Sequence, residues 1–168
     1  SIYEIINFIF SKKFINPFSV IAHMSLGLLL ISISFNSLLS TERALSIDLN
    51  STEAYKDLKI SFKDIGVENN ANYDSIKATF LVEDQTGRTF NLKPEKRRYF
   101  TRGQITTETA IHVTVLRDIY ITIGDQLDDG SWIVNIQINY LIRWIWLSAL
   151  LMGCLLYTSD AADDVISV

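Results

Sequence analysis

Residues 78–92 read Ala78-Thr-Phe-Leu-Val-Glu-Asp-Gln-Thr-Gly-Arg-Thr-Phe-Asn-Leu92. Two runs rich in β-branched and aromatic residues flank Asp84-Gln-Thr-Gly87, which has the composition of a turn. This arrangement predicts a β-hairpin. The hairpin decides the class of fold expected for the middle of the chain.

The same signals recur on both sides of this hairpin, and no convincing helical pattern interrupts them between residues 42 and 139. A further turn is predicted at Leu127-Asp-Asp-Gly130. The additional strands are predicted at 44–50, 58–64, 110–115, 119–123 and 131–138. Many short strands with frequent turns favour a small all-β domain, barrel-like or sandwich-like, over 42–139. About a hundred residues are enough to bury one core.

Two strongly apolar runs flank the predicted β domain. Residues 18–35 contain no Lys, Arg, Asp or Glu, and their length suits a membrane-spanning helix, predicted over 17–36 with Pro17 at its start. A second transmembrane helix is predicted over 141–157, where Trp144 and Trp146 begin the run as an interfacial aromatic belt. The predicted fold class is therefore membrane α + β.

The two ends of the chain give further expectations. Residues 1–16 have helical apolar spacing and predict a short amphipathic or juxtamembrane segment, or the end of a longer helix in a truncated chain. Lys12 and Lys13 favour the cytoplasmic side for the start of the first span, which places 42–139 outside the cytoplasm. Residues 158–168 are acidic and are predicted to be a non-native or disordered tail; a native acidic tail is the alternative.

Composition excludes several functions. The net charge of −4 gives no support for binding nucleic acid. The single cysteine, Cys154, leaves no disulfide framework and no Cys-x-x-Cys pair. With two well-separated histidines, His23 and His112, the chain has no nucleophile–base pair, so by itself it is not expected to be catalytic.

His23 is the principal candidate for a functional site. It lies inside the first apolar run, where an ionisable group costs roughly a few kcal/mol unless it has a partner. Imidazole is a common ligand of metals and of haem iron. Ligation or proton transfer is one interpretation, and a neutral histidine hydrogen-bonded to a neighbouring helix is the other.

From residue 94 onward, several motifs follow one another in an order that resembles a known family. They are Pro94-Glu-Lys-Arg-Arg-Tyr99, Thr106-Thr-Glu-Thr-Ala-Ile111, Leu116-Arg-Asp-Ile-Tyr120, Leu127-Asp-Asp-Gly-Ser-Trp132 and Arg143-Trp-Ile-Trp146. Together with Ile21-Ala-His-Met-Ser-Leu-Gly27, this succession resembles the C-terminal part of the CcmF-type cytochrome c maturation proteins, the haem lyase subunit of bacterial cytochrome c biogenesis. The resemblance covers roughly 17–156 and leaves out the tail.

The resemblance implies a multi-pass protein of the bacterial inner membrane with the β domain on the periplasmic side. Such a protein works with other maturation subunits and membrane lipid to attach haem covalently to the CxxCH motif of an apocytochrome c. It also implies a membrane haem b whose iron has His23 as one axial ligand, with the second ligand and the catalytic groups upstream. The alternative function is a two-span, membrane-anchored β domain that binds or scaffolds without catalysis.

The other polar residues that could form a functional site are interpreted as structural residues. His112 is expected on a strand facing solvent or a polar rim, without a catalytic role. A basic cluster could hold haem propionates or an acidic partner, although a solvated loop is favoured. Its members are Lys93, Lys96, Arg97, Arg98 and Arg102. Glu108 is expected in a turn, and adjacent strand residues Arg117 and Asp118 are not expected to pair with each other. Core or interface positions are predicted for Tyr99, Tyr120, Trp132 and Tyr140.

Overall fold

The computed structural model describes residues 17–101 and 103–166. The amphipathic segment predicted for 1–16 lies outside the described residues. The chain forms two compact units. One contains the described residues up to Leu39 and from Tyr140 onward, and the other comprises Ser40–Asn139.

The first unit consists of two helices, α1 (Pro17–Leu39) and α2 (Ile142–Ile166), which pack against each other. The serines Ser25 and Ser32 of α1 and Ser148 of α2 are buried. Ser25 Oγ donates to the Ala22 carbonyl at 2.7 Å, and Ser148 Oγ donates to the Trp144 carbonyl. Small side chains at these positions let two helices approach closely.

In the described part of the chain, one helical stretch is long and apolar enough to cross a membrane, and it covers Val20–Leu39. The apolar part of α2, Ile142–Cys154, is shorter. The second predicted span therefore stays a prediction. The backbone of α2 is helical as far as Ile166, and the non-native origin expected for 158–168 also stays a prediction.

The second unit is built from ten strands in two sheets. The strands are β1 (Thr41–Ile47), β2 (Thr52–Tyr55), β3 (Leu58–Asn69), β4 (Tyr73–Asp84), β5 (Thr89–Leu92), β6 (Glu95–Tyr99), β7 (Ile105–Glu108), β8 (Ala110–Val113), β9 (Arg117–Gln126) and β10 (Trp132–Tyr140). The four-stranded sheet has the order β1-β10-β9-β8. The six-stranded sheet has the order β2-β3-β4-β6-β7, and β5 also pairs with β4.

The core lies between the two sheets and follows the period-two alternation of strands. In the six-stranded sheet, Phe62 and Phe80 are cross-strand partners whose ring centroids lie 4.7 Å apart. The four-stranded sheet supplies Ile47, Ile119, Ile121, Ile123, Val134, Ile136 and Ile138, all nearly inaccessible to solvent. The hairpin predicted over 78–92 is confirmed as β4–β5, with Glu83 opposite Thr89.

The strand ends divide the sandwich into two opposite ends. Strand β1 begins at Thr41 opposite Ile138, and the β9–β10 turn lies at the other end of that sheet. A turn of a few residues can join only antiparallel strands, so β9 begins at the same end as β1. We call this the connected end, because the chain enters the sandwich there at Thr41 and leaves it there after Asn139. The opposite end, which contains the β9–β10 turn, is called the far end.

Candidate functional site

His23 occupies an exposed position in the second turn of α1. At about 100° per residue, its side chain leaves the helix roughly 160° away from the direction of the buried residues Ser25 and Ser32. Since α2 is the element that packs on α1, the imidazole lies on the face turned away from α2.

Gly27 lies one helical turn after His23, on the same face. A Cβ atom built at Gly27 would have no heavy atom within 4 Å. A bare glycine one turn away leaves the helix surface flat beside a nitrogen ligand. These residues therefore fit a planar group such as haem, whose iron takes one axial histidine.

The described residues contain no group of three or more His, Cys, Asp or Glu side chains placed to hold a metal ion. Cys154 is exposed and has no disulfide partner. Within the described part of the chain, His23 thus stands as a single ligand. A haem iron with two protein ligands would need the second from another part of the protein.

The basic cluster is not the solvated loop that the sequence favours, because three of its members lie on strand β6 and bind carboxylates of the same domain. Arg97 contacts Glu95 at 3.0 Å and Glu108 at 3.5 Å. Arg98 contacts Asp74 at 3.3 Å, and Lys96 pairs with Asp125. The hydrogen bond with Glu95 raises the pKa of Arg97 above its ordinary value. Lys93 is exposed between β5 and β6, and Arg102 lies outside the described residues.

These ion pairs surround a cleft of about 430 Å³ at the far end of the sandwich. Its apolar lining comes from Val67, Ile76, Ile105 and Trp132. Lys96 and Asp125 also line it. The sequence does not predict this cleft, because its walls come from six strands that are brought together only by the packing of the two sheets.

His112 is partly buried on β8, and charged groups of Arg117, Arg88, Asp84 and Asp118 act on it, as expected for a polar rim. Its ring stacks on Phe90, with centroids 3.6 Å apart and an interplanar angle of 11°. Burial lowers the pKa of His112, and the positive charges of Arg117 and Arg88 lower it further. The imidazole thus packs as a largely neutral aromatic side chain between β5 and β8, and it contributes no ligand site.

The other candidates have structural roles. Arg117 pairs with Asp57 of the β2–β3 turn. The alternation of strand residues points Asp118 to the opposite face. Glu108 ends strand β7 and binds Arg97, where a turn was expected. Asp129 accepts hydrogen bonds from Ser131, and this contact closes the predicted 127–130 turn.

The architecture defines a class: a β-sandwich inserted between two apolar helices, the first of which presents a histidine. Comparison with known families narrows this class. Residues 38–139 match the family model described as the CcmF C-terminal beta-sandwich, and the chain therefore belongs to the CcmF family. The match also settles the choice between barrel and sandwich.

Individual relatives carry the same name. The chain is 30% identical over 133 residues to the cytochrome c-type biogenesis protein CcmF of Pseudomonas aeruginosa, covering 79% of this chain and 20% of that protein. It is also 30% identical over 134 residues to CcmF of Escherichia coli K12, covering 80% of this chain and 21% of that protein. The chain thus spans about a fifth of the length of these relatives.

A solved structure of "Cytochrome c Heme Lyase CcmF" has the same fold, with a TM-score of 0.68. The similarity covers 82% of this chain and 23% of that one, at 11% sequence identity. The family resemblance drawn from the ordered motifs is therefore confirmed.

Proposed function

We propose that this chain is the C-terminal part of a cytochrome c haem lyase, a protein that assists the covalent attachment of haem to the CxxCH motif of an apocytochrome c. The observation that carries the proposal is the match of residues 38–139 to the CcmF C-terminal beta-sandwich. Because the chain spans about a fifth of its relatives, its part in the reaction is support for the site. Haem, apocytochrome c and other maturation subunits are the proposed partners.

In this proposal α1 and α2 cross the bacterial inner membrane in a multi-pass protein. The sandwich then stands on the periplasmic side, where the apocytochrome is matured. The length and apolar character of Val20–Leu39 support the first span. Trp144 and Arg143 at the start of α2 support an interfacial position for its first turn.

His23 is the proposed axial ligand of a haem b held in the membrane. Its exposed position on the face away from α2, with Gly27 one turn further, leaves room for a planar macrocycle. When bound there, the haem supplies an iron centre able to accept and pass on single electrons. His23 would hold this iron through a ring nitrogen.

The test is to express the full-length protein with His23→Ala and to record its haem content and optical spectrum. Loss of the membrane haem is expected. Met24→Ala is the matched control, because Met24 is a neighbouring exposed side chain that leaves α1 in another direction. Retention of the full haem signal by His23→Ala would refute the assignment of His23.

A second variant of His23 distinguishes a haem ligand from a side chain that only packs in the membrane. Thioether is an alternative axial ligand that changes the properties of haem iron, so His23→Met should keep haem with a shifted optical spectrum and a changed reduction potential. A histidine that only fills space would give the native spectrum after this substitution. The alternative function, a membrane-anchored β domain that serves as a scaffold, predicts no haem spectrum in the parent protein.

A further inference from the structure

The β8–β9 turn carries two exposed aliphatic residues, Val115 and Leu116, with 66% and 62% of their surfaces accessible. The turn is closed by its polar backbone and hydroxyl groups. The Thr114 N–H donates to the Arg117 carbonyl at 2.9 Å, and Thr114 Oγ1 also hydrogen-bonds to that carbonyl. The two aliphatic side chains therefore project from a well-ordered turn and do not fold back into the core.

This turn lies at the connected end of the sandwich. Strand β9 begins at Arg117, directly after the turn, and β9 starts at the end where β1 begins and β10 finishes. Because β9 is the sheet neighbour of β10, and sheet neighbours lie about 5 Å apart, the turn is only ~5–10 Å to the side of the point where the chain leaves the sheet.

Two cations project from the same end. Arg117 pairs with Asp57 of the β2–β3 turn, which brings that turn beside the β8–β9 turn. The exposed Lys56 is in the β2–β3 turn, and Leu58 after it pairs with Asp84 at the start of the β4–β5 turn. Arg88 of that turn has 75% of its side chain exposed and is ion-paired with Asp84 at 2.9 Å. The connected end thus combines an aliphatic tip with the exposed Lys56.

We propose that the Val115–Leu116 tip inserts into the lipid surface of the membrane and holds the sandwich against it. The inference rests on the membrane spans proposed above for α1 and α2. Only Ser40 separates α1 from β1, and only Leu141 separates β10 from α2. Connections of one residue limit how far the connected end can stand from the ends of the spans.

Lipid fits this surface better than a protein partner. The connected end offers aliphatic side chains at the tip and the exposed Lys56 in a neighbouring turn, which matches the apolar and anionic layers of a lipid interface. Protein hot spots are instead enriched in Trp, Tyr and Arg set in closely packed pockets. The cleft at the far end, with Trp132 and Arg97 in its lining, is that kind of pocket.

The test places a polarity-sensitive fluorophore on single cysteines in the full-length protein, with Cys154→Ser and any other native cysteine replaced. The labelled positions are Leu116→Cys at the tip, Phe100→Cys at the far end and Leu38→Cys in the last turn of α1. Phe100 and Leu38 are matched controls because both are also more than half exposed. The protein is reconstituted in phosphatidylethanolamine–phosphatidylglycerol vesicles, with or without lipids carrying a nitroxide on the acyl chain near the headgroup.

Loss of fluorescence at 116 and 38, with none at 100, is the expected result. Quenching at 38 without quenching at 116 would overturn the tip proposal and leave the spans in place. A blue-shifted label at 116 that nitroxide lipids do not quench would show that the tip contacts protein, which also overturns it. Absence of quenching at both 116 and 38 would refute the spans and the tip together.

Discussion

The side-chain Oδ1 of Asn36 accepts a hydrogen bond from the backbone N–H of Tyr140 at 3.1 Å, across 104 residues of sequence. The bond joins the last turn of α1 to the residue that precedes α2 by two positions. It therefore satisfies a backbone donor at the point where the chain returns to the helical unit. This hydrogen bond therefore links the end of α1 to the residues that lead into α2.

Asn36→Ala should weaken the pairing of the helices. An unsatisfied, partly buried N–H typically costs about 1–3 kcal/mol, so we expect a loss of this size in the free energy of unfolding. The measurement is denaturant-induced unfolding of the protein in detergent micelles. Ser37→Ala, at an exposed neighbouring position, is the control and should change stability very little.

The Arg117–Asp57 ion pair links the two sheets, and both side chains are mostly buried, with 20% and 23% exposed. Removal of either partner leaves a poorly solvated charge. A double-mutant cycle with Arg117→Leu and Asp57→Asn should give a coupling energy of about 1–3 kcal/mol, between the values of surface and fully buried pairs. Hydrogen exchange of the core amides in the full-length protein measures it.

The Lys59–Glu83 pair offers a control of the same charge type. It spans 3.9 Å, and its side chains are 67% and 44% exposed. Exposed pairs contribute about 0–1 kcal/mol, so a cycle at Lys59 and Glu83 should give a small coupling energy. Equal coupling energies for the two pairs would contradict the cross-sheet role assigned to Arg117.

Phe80 stacks on Phe62 in the centre of the sandwich and is fully buried. Phe80→Ala should destabilise the sandwich by about 3–5 kcal/mol, because it removes a large apolar side chain and leaves a cavity. Val67→Ala is the control, since Val67 is 69% exposed. Its effect should stay within roughly 0.5 kcal/mol. The same exchange measurement compares the two variants.

Local patterns were sufficient to predict much of the sandwich. The β4–β5 hairpin and the strands through Ile119–Ile123 and Trp132–Ile138 alternate or carry β-branched runs, so their period and turn residues identify them without tertiary information. Strands β2, β6 and β7 were not predicted. Strand β6 reads Glu-Lys-Arg-Arg-Tyr, and no local signal separates such a strand from a charged loop.

The carboxylate partners of β6 explain why it forms. Asp74 and Glu108 belong to the neighbouring strands β4 and β7, and Asp125 comes from the other sheet. Their contacts with Arg98, Arg97 and Lys96 exist only after the sheets assemble. The exposure of His23 on the face of α1 away from α2 likewise depends on which face the second helix covers, which the sequence of α1 does not specify.

His112 should make the stability of the sandwich depend on pH. Its pKa in the folded protein is lowered by burial and by Arg117 and Arg88, against the opposing charges of Asp84 and Asp118. The unfolded chain therefore binds a proton more readily than the folded protein as the pH falls below about 6.5, the ordinary histidine value. The free energy of unfolding should decrease as the pH falls through that range. Above that range, the stabilising contribution of neutral His112 should be fully present.

Hydrogen exchange of the β8 and β9 amides between neutral and mildly acidic pH, corrected for intrinsic exchange rates, measures this effect. His112→Phe keeps the aromatic contact with Phe90 and removes the titrating group, so this variant should lose the decrease. An unchanged pH profile in His112→Phe would assign the effect to another group.

Gly124 and Gly66 provide a matched pair of strand glycines. A Cβ built at Gly124 would lie 3.2 Å from both the Cβ and the carbonyl oxygen of Ile133 on the paired strand β10, whereas one at Gly66 would meet nothing within 4 Å. The carbonyl oxygen is held by the backbone and cannot rotate away. Gly124→Ala should therefore push β9 from β10 and destabilise the sandwich by about 1–3 kcal/mol, as overpacking does.

Gly66→Ala should leave stability unchanged or raise it by about 0.4–1 kcal/mol, because alanine restricts the unfolded chain and fits the open strand position. Exchange of the core amides compares both variants with the parent protein. Equal changes in stability for Gly124→Ala and Gly66→Ala would mean that the close contact with Ile133 does not destabilise the sandwich. A selective loss in Gly124→Ala would show that the close approach of β9 to β10 near the far end requires glycine.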